Sequence, residues 1–125
     1  MKLGEFYMLL IVPASNELAK KNFERTIKSS WSLDKLLKLR IELPSELIAK
    51  LKEVHEFKIW GMVPSLRNIW DKIKEGTIVM FYQNGYITCW GTIFAKLKSH
   101  DLALKLWGSI DSETWELVYF IRDLK

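Results

Sequence analysis

Apolar and polar positions follow two rhythms along this chain, and each change of rhythm marks an element. The run "EFYMLLIVP", residues 5–13, is almost wholly apolar. It predicts a buried first strand stopped by Pro13, which has no N–H to give a ladder. In "SNELAKKNFERTIKSS", residues 15–30, Ala19, Phe23 and Ile27 recur every fourth position. That spacing predicts a helix capped by Ser15 or Asn16. "WSLDKLLKLRIEL", residues 31–43, supports two readings. Leu33, Leu36 and Leu37 fit a short helix, whereas Leu39, Ile41 and Leu43 alternate like a strand. Pro44 and Ser45 signal another helix start, with Leu47, Leu51 and Val54 as its apolar stripe.

"IWGMVPS", residues 59–65, reads as a loop, after which Ser65 caps a helix through about Ile73. Its inner face carries Leu66, Ile69, Trp70 and Ile73. "TIVMFYQNGYITCWGTIFAKL" is the strongest local signal: two apolar runs flank Asn84–Gly85, a pair that tolerates the positive φ angles of a type I′ hairpin turn. Ser99 caps a helix through about Trp107. "ETWELVYFI" closes as a strand with Trp115, Leu117 and Tyr119 opposite Glu116, Val118 and Phe120. The order predicts one small α+β domain over residues 1–125. Its sheet is curled and mostly antiparallel, or an open barrel, with helices packed outside. Such a barrel leaves a concave mouth where a flat ligand can lodge.

Composition narrows the function classes. A chain of 125 residues has a normal globular balance, with 49% hydrophobic and 27% charged residues. No apolar run approaches the roughly 18 residues that cross a bilayer, so no membrane partner is expected. One cysteine, Cys89, excludes an internal disulfide and fits a reducing cytoplasm. The net charge of +4 is compatible with a nucleic-acid partner but equally with solvated helix faces. His55 and His100 have no second ligand at metal spacing, and the glycines are scattered singly. No metal site, phosphate loop, nucleophile elbow or triad is therefore expected, and neither is a cofactor or an enzymatic activity.

The unusual feature is six tryptophans, at positions 31, 60, 70, 90, 107 and 115, three of them followed by glycine. A large indole beside a residue without a side chain suits a crowded core or a wall for a flat ligand. Trp70 and Trp115 lie on an inner helix face and in the last strand, which predicts core packing. Trp60 and Trp107 stand in a loop and at a helix end, which predicts the walls of a pocket. Trp31 and Trp90 are candidates for a third wall, and Gly61 for a point where backbone approaches the ligand.

The run "IWGMVPSLRNIWDKIKEGTIVMFYQNGYITCWGTIFAKL…LALKLWG…TWELVYFIRDL" resembles the YTH and EVE domains of the PUA-like superfamily over about residues 57–124, and loosely over 6–27. Residues 29–56 resemble an insertion, and Gly91 matches the family's hairpin glycine. The resemblance implies a pocket for a modified base, foremost N6-methyladenine, with Trp60 matching the first cage tryptophan and Trp107 the second. "IVPASN" resembles the segment that contacts the purine edge, which makes Ser15 and Asn16 candidates. Gly61 and Pro64 depart from the YTH pattern and lean toward EVE domains. "FYQNGYITCWGTI", "LALKLWG" and "TWELVYFI" are also similar to the N-terminal recognition domains of archaeal McrB-type restriction subunits. That similarity implies methylated DNA in preference to RNA as partner, with an AAA+ motor and a nuclease supplied from outside this chain. The best-placed phosphate contacts are Lys58, Arg67, Lys96 and Lys98. The alternative is an RNA-binding or small-molecule-binding domain whose tryptophans are structural.

Overall fold

The computed structural model describes residues 8–109 and 113–125. Strand β1 runs Leu9–Pro13, followed by helices α1 (Glu17–Thr26), α2 (Leu33–Leu37) and α3 (Ser45–Lys52). Then come β2 (Lys58–Met62), a 3₁₀ turn at Pro64–Leu66, α4 (Arg67–Lys72), β3 (Ile78–Gln83), β4 (Tyr86–Lys98), α5 (His100–Trp107) and β5 (Leu117–Arg122). Residues 5–7 of the expected first strand lie outside the described residues.

Local chemistry sets most of these boundaries. The Asn16 carboxamide accepts the Ala19 N–H at 2.8 Å and starts α1. Ser32 and Ser99 cap α2 and α5 in the same way. The ambiguity at residues 31–43 falls to a helix for its first half, and Leu39–Leu43 form no strand. Asn84 and Gly85 adopt φ of 51° and 90°, so the β3–β4 turn has the two positive angles that its dipeptide implies.

The sheet has the order β1-β3-β4-β5-β2; β1 runs parallel to β3 and every other neighbour is antiparallel. Strand β4 is 13 residues long and serves two partners. Its first half pairs with β3 and its second with β5, with a register shift between Ile93 and Ala95. Such an irregularity bends a strand and increases its twist. The sheet is therefore open, with β1 and β2 at its two edges.

Both faces of the sheet are covered, and strand β5 shows it. Leu117, Tyr119 and Ile121 of β5 enter one core with Phe23 of α1 and Trp70 and Ile73 near α4. Val118 and Phe120 enter a second core with Leu36, Leu47, Leu51 and Leu106 from α2, α3 and α5. Strict alternation of side chains across a strand produces this division. Residues 29–56, with α2 and α3, thus close the second face.

Two expectations fail. "IWGM" is not a loop but strand β2, because β5 has a free edge on which Lys58–Met62 pair with Ile121–Leu117. That partner lies about sixty residues away, beyond any local pattern. Leu66 and Ile69 are not on the inner face of α4; both are 40% exposed, while Trp70 and Ile73 are buried.

Candidate functional site

Trp60, Trp107 and Trp115 form one cluster. Ring centroids are 4.8 Å apart for Trp60–Trp115, 5.5 Å for Trp107–Trp115 and 6.4 Å for Trp60–Trp107. The expected slot between Trp60 and Trp107 is not present. Their planes meet at 68°, edge to face, at a centroid distance of 6.4 Å, so they cannot sandwich a base between parallel faces. The reason lies in strand alternation. Trp60 points into the first core, while Gly61 points to the other face, where Trp107 of α5 packs on it. The two indoles approach from opposite faces of β2 and meet at its edge.

Gly61 is needed for that meeting. A Cβ there would stand 2.4 Å from the Trp115 carbonyl oxygen and 2.9 Å from Cζ3 of Trp107. The Cβ side of Gly61 is therefore filled by two tryptophans, while Gly61 also borders the larger cavity described below. Gly91 is likewise crowded, by Ile121 and the Arg122 carbonyl. Gly108 differs: it ends α5 with φ 78° and ψ −165°, a region open essentially to glycine alone. The three Trp-Gly pairs thus answer two needs, close backbone approach twice and a helix stop once.

The other predicted walls are elsewhere. Trp31 is buried in the second core, its Nε1–H donating to the Arg25 carbonyl at 3.0 Å. Trp90 follows Cys89, which packs toward the first core, so its side chain lies on the outer face of β4, exposed beside Lys125. Trp70 is core as expected, donating to the Val118 carbonyl. Trp115 is the reverse case. It precedes β5, is only half-buried, and is the wall that the strand reading of "ETWELVYFI" concealed.

Two cavities meet at Trp115 and Val63. The smaller, about 130 Å³, lies between Trp107, Leu18, Asn22 and Glu113. Trp107 is fixed there, its Nε1–H donating to Thr26 Oγ1 at 3.2 Å. The larger, about 280 Å³, occupies the gap between the edge strands. Residues 10–13 of β1 wall one side and Trp60, Gly61 and Met62 of β2 the other. Asn16, Trp115 and Tyr119 also line it, and no charged side chain does so among the described residues. Trp60 and Trp115 meet there at 59°, a corner in which a flat ring can lie on one indole and touch the edge of the other. A wider depression of about 700 Å³ near Phe23, Lys58 and Cys89 has mixed walls, with Phe23 as the one aromatic ring among its described lining residues.

Of the polar candidates, Asn16 lines the larger cavity while its oxygen caps α1. Ser15 does not; its hydroxyl accepts the Asn84 N–H at 3.1 Å and ties the hairpin turn to α1. Tyr119, missed from the sequence, is fully buried and its hydroxyl has no partner among the described residues. Burial pushes this phenol well above its ordinary range, so it stays protonated. Two of the four predicted phosphate contacts are engaged internally. Lys58 donates to the Ser29 carbonyl, and Lys96 donates to the Trp70 carbonyl, its pKa lowered by burial. Lys98 is exposed at the end of β4. Arg67 is exposed next to Leu66 of the larger cavity, 3.6 Å from Asp71.

No described helix is long and apolar enough to cross a membrane. Among the described residues, no group of three or more His, Cys, Asp or Glu side chains is placed to hold a metal ion. No family model, no curated protein and no solved structure matches this chain.

Proposed function

We propose that this domain is a non-enzymatic reader of a modified base, foremost N6-methyladenine in DNA, held in the cavity between β1 and β2. The observation that carries the reading is that cavity: about 280 Å³, without a charged side chain among its described lining residues, and cornered by Trp60 and Trp115. A curled sheet whose edges flank an aromatic cavity also supports a PUA-like fold of YTH/EVE type, and with it a cytoplasmic specificity module for an AAA+ motor and nuclease. The methyl group adds apolar surface worth about 0.8 kcal/mol on burial, roughly a fourfold preference before shape acts. Stacking contributes about 1–3 kcal/mol, comparable with the few kcal/mol that leaving a duplex costs. The reader therefore favours single-stranded or mismatched targets over perfect duplex.

Tryptophan fluorescence with paired methylated and unmethylated oligonucleotides, as DNA and as RNA, tests the reading. Quenching by the methylated strands supports it, and identical responses across a salt titration refute it. A second reading has its own observation. The rim residues Ile11, Leu66 and Ile69 are apolar and exposed, which fits a free, uncharged small molecule. Binding of free heterocycles without any oligonucleotide response would establish that alternative.

A further inference from the structure

We infer that the Tyr119 hydroxyl is the specificity-determining hydrogen-bond partner of an uncharged, planar nitrogen heterocycle lodged between β1 and β2. This rests on the cavity as the ligand site, and not on the ligand being a nucleic-acid base.

Tyr119 is the register partner of Trp60 across the β5–β2 ladder, and both side chains belong to the first core. Both also border the cavity, and Tyr119 is fully buried in its wall. Its hydroxyl oxygen has no hydrogen-bond partner among the described residues. Buried polar groups in native proteins are nearly always paired, and an unpaired one calls for an explanation. Phenylalanine would fill the same space without stranding an oxygen. A partner that arrives with a ligand accounts for the hydroxyl.

The rest of the lining defines that ligand. Among the described residues no Asp, Glu, Lys, Arg or His lines the cavity, so an ionic group would lose its hydration without a counter-charge. The entering part is therefore neutral. Apolar cavities of about 150 Å³ stay dry and take up benzene. At about 280 Å³ this one has room for a fused bicyclic ring. Besides the indole N–H groups of Trp60 and Trp115, the other polar side chain in the described lining is Asn16, whose oxygen is occupied by the Ala19 N–H, leaving its amide nitrogen to donate. A neutral phenol donates as well. A lining whose polar side-chain groups are donors selects a flat ring that carries an acceptor nitrogen.

The test compares wild type with Tyr119→Phe, using quinoline and naphthalene as probes in equilibrium dialysis at neutral pH. The probes share one shape and differ by one ring nitrogen. Wild type should prefer quinoline. Tyr119→Phe should lose roughly three- to tenfold in quinoline affinity, the range of one net hydrogen bond, and keep or gain naphthalene affinity. Without ligand, its melting temperature should equal or exceed that of wild type. Equal losses for both probes, no binding of either probe, or a lower melting temperature for the unliganded variant would each overturn the inference. If quinoline binding depends on Tyr119 while oligonucleotides do not discriminate methylation, the base reading fails and this one stands.

Discussion

Gly61→Ala is the sharpest probe of how the indole cluster is built. The added Cβ would stand 2.4 Å from the Trp115 carbonyl oxygen, 2.9 Å from Cζ3 of Trp107 and 3.0 Å from Cβ of Trp115. Two of these atoms belong to backbone or to its first side-chain carbon, so no rotamer change relieves the clash. The segment carrying Trp115 has to retreat by roughly 1 Å, an overpacking that costs typically 1–3 kcal/mol and here falls at the upper end. Against this, alanine in a strand recovers about 0.5–1 kcal/mol of the conformational entropy that glycine loses on folding. The net loss is about 2 kcal/mol. For a domain of this size each kcal/mol shifts Tm by roughly 3–5 °C, so a fall of about 6–10 °C is expected in thermal melting. Gly85→Ala is the control, because nothing lies within 4 Å of its Cβ position and only the φ of 90° is strained. Its cost should be about 1–2 kcal/mol. A Gly61→Ala protein that melts within a degree of wild type would show that Trp107 and Trp115 do not pack against Gly61.

Other outcomes follow from the same geometry. Trp60→Ala removes a buried ring packed against Phe23, Phe81 and both other indoles, so calorimetry should show a loss of about 3–5 kcal/mol. Trp115→Ala, half-buried, should cost less stability and more ligand affinity; the opposite ranking in paired melting and binding assays would reverse the two roles. Tyr119 stays protonated when folded and ionises near pH 10 when unfolded, so the folded state binds the extra proton there. Stability should therefore fall as pH rises above about 10, at up to about 1.4 kcal/mol per unit, in urea titrations, and Tyr119→Phe should remove that slope. Arg67→Gln should weaken all oligonucleotides alike and reduce the salt slope by about one. Lys96→Gln should lower Tm and leave the slope unchanged, because its ammonium is held by the Trp70 carbonyl.

What could be read without the structure was local. The Asn84–Gly85 turn, the caps at Asn16 and Ser99, and the Ala19–Phe23–Ile27 stripe all appear as expected, because each depends on residues within one turn or one hairpin. The α+β class followed from the same signals. Placement of the tryptophans did not, because an indole looks alike in sequence whether it plugs a core or walls a cavity. Trp31 and Trp90 went to the second core and the outer face once β4 and the Trp31–Phe57 bridge took their positions. Trp60 became a buried strand residue because β5 offered an edge to "KIWGM" from far along the chain. Tyr119 came to border the cavity only when the curled sheet brought β1 opposite β2. By itself the sequence determined the turns, caps and helical stripes, since those interactions close within a few residues. The tertiary structure alone decided which aromatic rings share a cavity, since strand pairing across long separations sets which face each ring occupies.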